Sequence, residues 1–130
     1  MYNDGKWTQG RYNSFVASAI RSAARRWEPR YKTLANAFVG RKTNKATGKM
    51  AKHYSCAECS KHFVTTDVQV DHILPVVDPQ KGFETWDKFI YNMYCDSVNL
   101  QVLCKKCHLV KTKAEKAVAS KRKVTSNGTQ

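Results

Sequence analysis

Residues 99–112 read Asn99-Leu100-Gln101-Val102-Leu103-Cys104-Lys105-Lys106-Cys107-His108-Leu109-Val110-Lys111-Thr112, and the fold turns on this stretch. Asn99 to Leu103 has the length and composition of a short strand. From Lys105 to about Lys123 the composition favours a helix, with Leu109, Val110, Ala114, Ala117 and Val118 available for burial. At the junction stand Cys104 and Cys107, a C-x-x-C pair, with His108 directly after them. A matching pair, Cys56-Ala57-Glu58-Cys59, lies upstream. Two thiolates in a tight turn reach one tetrahedral ion, and two such turns complete a four-cysteine shell. Cys56, Cys59, Cys104 and Cys107 are therefore the expected ligands of a structural Zn²⁺, closed to substrate because no coordination position is left open. Cys95 is left over and reads as a small buried residue rather than a ligand.

The gap between the pairs is too long for a compact zinc ribbon, so a substructure must be looped out between them. Short β-type runs fall at Lys61–Val64 and Val68–Val70, and Asp71-His72-Ile73-Leu74-Pro75 follows the second. Residues 83–94 read as a short helix. Upstream, Phe15, Val16, Ala19, Ile20, Ala23, Ala24 and Trp27 recur at helical spacing over residues 11–27, with Thr8 as an N-cap and Pro29 ending the pattern. Pro29 can also open a second helix, to about Val39, with Tyr31, Leu34, Ala35 and Phe38 inward. Residues 40–52 are rich in Lys, Gly, Thr and Asn without periodicity, which predicts a loop or linker. The organisation expected is a basic helical arm and linker over 1–50, an α+β module over 51–123, and a disordered tail over 124–130.

Charge is distributed unevenly. The net charge of +13 divides into 12 Lys/Arg against 2 Asp/Glu in residues 1–53, 3 against 7 in 54–103, and 8 against 1 in 104–130. Basic flanks suit a polyanion, with an anionic membrane surface the main competitor, and an acidic centre suits a hard divalent cation. No apolar run approaches the ~18 residues of a membrane span. The polar N-terminus does not read as a signal peptide. A reducing, cytoplasmic setting is expected, in which cysteines serve metals rather than disulfides.

The segments Val70–Pro75 and Asn99–Thr112 together resemble the HNH endonuclease family, and more narrowly the small freestanding HNH proteins encoded by bacteriophages. The resemblance covers about residues 50–116, and the helical arm and Gly82–Asp87 are similar more loosely. It implies a ββα-metal finger: a hairpin, a loop, then a helix. It implies that Asp71 and His108 hold one divalent ion, that His72 deprotonates the attacking water, and that Asn99 holds the loop bearing His72. The activity implied is metal-dependent hydrolysis of phosphodiesters in double-stranded DNA, leaving 5′-phosphate and 3′-hydroxyl ends, in homing, packaging or attack on host DNA. An imidazole has the near-neutral pKa that a general base needs. Mg²⁺ or Mn²⁺ suits two protein ligands with open positions, and a histidine ligand also admits Ni²⁺ or Zn²⁺. Successive strand side chains face opposite ways, so Asp71 and His72 cannot both face one ion from a regular strand. Either the strand ends there, ahead of Pro75, or His72 approaches from the far side of the phosphate. Arg21, Arg25, Lys111 and Lys113 are the expected DNA-backbone contacts. The rival readings are a non-catalytic zinc-finger DNA-binding module and an adaptor for packaging or replication proteins.

Overall fold

A computed structural model describes residues 2–128, with side chains described to Lys123. Two helices lead, α1 (Gln9–Ala24) and α2 (Glu28–Asn36). Thr8 caps the first as expected, its hydroxyl accepting from the Arg11 amide at 3.2 Å, and Pro29 sits in the first turn of the second. The faces differ from expectation. On α1, Ala17, Ile20 and Ala24 turn inward, while Phe15 lies out against Trp7. On α2 the buried residue is Thr33, whose hydroxyl donates to the Pro29 carbonyl at 2.8 Å, whereas Tyr31, Ala35 and Phe38 are exposed. Thr33 can be buried because its hydroxyl is satisfied within its own helix.

Residues 40–52, expected as a loop, belong instead to a β-hairpin. Strands β1 (Phe38–Thr43) and β2 (Met50–Ser55) pair antiparallel, with Thr43 opposite Met50 and Arg41 opposite Lys52. A turn closes them, with the Asn44 amide on the Lys49 carbonyl and Gly48 at φ 73°, a conformation that glycine adopts without steric cost. Alternation did not reveal the strands because both faces of the outer half stand in solvent and need no apolar side chains. Strand β3 (His62–Val64) adds to β2 and completes a three-stranded sheet.

The second sheet is a pair. Strand β4 (Val68–His72) runs antiparallel to β5 (Leu100–Cys104), in a register that sets Asp71 opposite Gln101 and His72 opposite Leu100. Between them comes α3 (Trp86–Met93), capped by the Thr85 hydroxyl. Helix α4 (Lys105–Gly128) leaves β5 with no intervening loop. It extends past the expected end at Lys123, since a helix anchored at its start propagates one hydrogen bond per added residue. Of the tail expected over 124–130, residues 129–130 lie outside the described residues.

Two apolar clusters hold these parts. Ala24, Phe89 and Met93 join α1 to α3, reinforced by the Tyr94 hydroxyl donating to the Ile20 carbonyl at 2.7 Å. Cys56, Leu103 and Cys104 form the other, with Phe63 against it. The chain is thus α+β, with four helices and small antiparallel sheets.

Candidate metal centres

The two C-x-x-C pairs meet where β2 ends and α4 begins. Sγ atoms of Cys56, Cys59, Cys104 and Cys107 all lie within 4.8 Å of one another, and those of Cys59 and Cys104 are 4.0 Å apart. A tetrahedral ion with Zn–S bonds of about 2.3 Å needs sulfurs roughly 3.8 Å apart, so the donor set fits zinc. The Ala57 amide donates to the Val102 carbonyl at 2.8 Å, which ties the first knuckle to β5. Charge within the cluster is uneven. Burial pushes the Cys56 thiol up, but backbone donors at Cys59, Cys104 and Glu58 and the Cys59 thiol overcome this and bring it down to about 6. Cys107 is pushed up to about 12, first by its hydrogen bond with Cys104 and then by burial and the other thiols. Four thiolates this close repel one another, and a dication removes that penalty by displacing the remaining protons.

The second group lies where β4 and α4 face each other. Asp71 and Gln101 share the sheet face toward α4, and the Gln101 amide donates to Asp71 Oδ2 at 3.4 Å. His108, in the first turn of α4, brings Nε2 to 3.6 Å from Asp71 Oδ1. That separation is too long for a hydrogen bond. Two cis ligands each about 2.1 Å from one octahedral ion stand about 3 Å apart, so the pair would have to draw in by roughly half an ångström to share one divalent ion. Lys111, one turn further on, places Nζ 3.1 Å from Asp71 Oδ2, pairs with Glu115, and donates to the His72 carbonyl at 2.9 Å. Burial works against this ammonium, but Glu115 and Asp71 outweigh it and hold its pKa above the usual lysine value. From the other side, Arg30 donates to the Val70 carbonyl at 3.3 Å; burial lowers its pKa against the pull of Asp71.

His72 stands on the opposite face of β4 from Asp71, as alternation requires, because the strand runs through it. Its Nε2 lies 3.0 Å from the Met93 carbonyl. A carbonyl only accepts, so Nε2 is the nitrogen that carries a proton here, and in the neutral ring that leaves the lone pair on Nδ1. Asn99 clasps the chain just after His72: its Oδ1 accepts from the Leu74 amide at 2.9 Å, its Nδ2 reaches the Leu74 carbonyl at 3.4 Å, and its own carbonyl accepts from Ile73 at 2.8 Å. Cys95 lies apart from the cluster and accepts weakly from Asn99.

Four residues expected on DNA are placed differently from one another. The Lys111 ammonium is turned into the site, and Arg21 stacks over the Phe89 ring, 5.5 Å from its centroid. Arg25 and Lys113 are exposed. Sequence reasoning missed Glu115, Gln101 and Arg30. Glu115 was findable, since with His108 and Lys111 it makes an i, i+3, i+7 stripe. Gln101 needed the strand register, and Arg30 left no signal. The inward face of α4 is accordingly this polar stripe, and Leu109, Val110 and Val118, expected to be buried, are exposed. A groove of about 900 Å³ opens beside it, running from Cys59 and Lys61 past Lys105 and Lys106 to Ile73 and Lys111.

No helix among the described residues is long and apolar enough to cross a membrane. No family model, curated protein or solved structure matches the chain.

Proposed function

We propose that the chain is a metal-dependent DNA endonuclease of the HNH type, acting in the cytoplasm of a host cell, with β4, β5 and α4 as its ββα-metal finger. The observation that carries the reading is the approach of Asp71 and His108 across the β4–α4 gap, one residue from the cysteine cluster. Zinc at the cysteines is scaffold: it holds the start of α4, and therefore His108, against the hairpin that bears Asp71. Mg²⁺ or Mn²⁺ bound at Asp71 and His108 would supply positive charge to the scissile phosphate and the departing 3′ oxygen.

The remaining chemistry belongs to side chains. His72 Nδ1 accepts a proton from the water that attacks phosphorus, while the Met93 carbonyl fixes the ring and its tautomer. Asn99 acts at one remove, holding Ile73 and Leu74 and so the end of the strand that presents His72. Lys111 neutralises Asp71 when no divalent ion is bound, and an ion taking Asp71 would free its ammonium for a phosphate. Lys61, Lys105 and Lys106 line the groove that a backbone would cross.

Supercoiled plasmid with Mg²⁺ or Mn²⁺ tests this directly. Wild type should nick it, and His72→Ala should lose nicking by a factor of about 10² or more while keeping its zinc, in keeping with a lost general base. Wild type that binds DNA but cuts it under no divalent ion would sink the enzyme reading. The second reading, a non-catalytic zinc-built DNA-binding module, rests on the Lys111 ammonium already satisfying Asp71.

A further inference from the structure

The β1–β2 hairpin is the element that the site just described leaves without work. Residues 40–52 hold Arg41, Lys42, Lys45, Lys49 and Lys52 and no Asp or Glu. Among the described residues none of these five cations has a carboxylate partner; Lys42 meets only His62. Arg41, Lys42, Thr43, Met50 and Lys52 are all exposed, so the outer half stands clear of the core on both faces. Its base, by contrast, is fastened. Tyr54 is buried with its ring edge-on to Phe38, the Ser55 amide donates to the Ala37 carbonyl at 2.9 Å, and Cys56 of the cluster follows at once.

Within the hairpin, Arg41 and Lys52 are direct cross-strand partners. Like charges set opposite each other destabilise a sheet. Among the described residues no carboxylate offsets that repulsion; an anion lying along this face would. The shape narrows the choice of polyanion. A two-stranded ribbon fits the major groove of B-form DNA, about 12 Å wide and 8.5 Å deep. The deep, narrow major groove of duplex RNA excludes it.

We propose that this hairpin is a DNA-reading arm that enters the major groove beside the cleavage site. It rests on DNA being the polymer acted on, and names the element that touches its bases. Arg41, Thr43, Met50 and Lys52 share one face by register and meet base edges, with Arg41 suited to guanine O6 and N7. Lys45 and Lys49, at the tip, meet phosphates. Because the arm leaves the four-cysteine cluster directly, its contacts fall within about one helical turn (~34 Å) of the scissile bond.

The test uses the full zinc-loaded chain and a labelled 30-base-pair duplex, with Ca²⁺ in place of Mg²⁺. Binding is measured across salt for wild type and for a variant with Arg41, Lys42, Lys45, Lys49 and Lys52 all changed to Gln. Each phosphate contact contributes about 0.9 to the slope of log K against log salt. With Lys45 and Lys49 on phosphates, the variant slope should therefore be shallower by about 1.8, with affinity down about 100-fold at low salt. Methyl green, which fills the major groove, should bring wild type to the variant's affinity; netropsin, in the minor groove, should leave the difference intact. Arg41→Lys should retain the slope and alter sequence preference among selected duplexes. Equal slopes for wild type and variant at equal zinc content would overturn the arm, as would the same loss on duplex RNA or abolition of the difference by netropsin. Plasmid nicking separates the two readings. Nicking with no hairpin dependence in binding sinks the arm alone. Hairpin-dependent binding without nicking sinks the nuclease and leaves the arm on a DNA-binding module. Wild type that binds no duplex DNA sinks both.

Discussion

Replacing Lys111 with Met keeps the aliphatic stem and removes the ammonium that joins Asp71, Glu115 and the His72 carbonyl. The side chains of Asp71, Lys111 and Glu115 are 15%, 24% and 31% exposed, between a surface pair and a buried one. Exposed pairs contribute about 0–1 kcal/mol and breaking a buried pair costs about 3–5. Lys111→Met should thus cost about 2 kcal/mol, or roughly 8 °C in Tm for a domain of this size. The sign with pH follows from the raised Lys111 pKa. Its stabilisation is complete below the unfolded lysine value near 10.4 and is lost as pH rises through the higher folded value. The deficit should therefore hold at neutral pH and shrink only in strong alkali. Urea unfolding of zinc-saturated protein measures it. Added Mn²⁺ should then stabilise the variant more than wild type, because no ammonium competes for Asp71; an ion at 100 times its Kd adds about 2.7 kcal/mol. A deficit below ~0.5 kcal/mol would refute the ion-pair reasoning, since that is the value of a solvated surface pair. Equal stabilisation of both proteins by Mn²⁺ would refute the competition.

Cys104→Ser should abolish stoichiometric zinc binding and cooperative unfolding together, because metal binding is folding energy in a domain with so small a core; a folded, zinc-loaded variant would contradict the structural assignment. Asn99→Ala removes both side-chain bonds to Leu74 and should cost about 1–2 kcal/mol, with faster amide exchange at Ile73 and Leu74 as the local sign. Gly82 has φ 77°, and a Cβ there would lie 2.7 Å from the Arg122 guanidinium, which itself donates to the Pro79 carbonyl. Gly82→Ala should cost about 1–3 kcal/mol by thermal melting, and adding Arg122→Ala should relieve the steric part but not the backbone strain.

Much of this was legible in residue order. Paired C-x-x-C motifs predict a four-cysteine site because sulfur chemistry and turn length leave few other solutions, and those sulfurs lie together. Thr8 as a cap, the strand before Cys104 and the helix after it are local matters of propensity and spacing. Alternation likewise barred Asp71 and His72 from sharing one face of a regular strand, but whether the strand ends ahead of Pro75 or runs on through His72 is settled by the fold, in which it runs through.

What tertiary structure alone decided concerns faces and partners. Helix α4 carries an apolar stripe and a polar one, and only the packed chain shows that the polar stripe turns inward, because Asp71 waits there for His108 and Lys111. The hairpin over residues 40–52 escaped the periodic signal because a ribbon solvated on both faces has no hydrophobic pattern to display. Arg30 reaches the Val70 carbonyl from 40 positions away in the chain, a distance over which sequence carries no geometric information. Sequence thus determined which atoms are available to bind metal; the fold determined which of them meet.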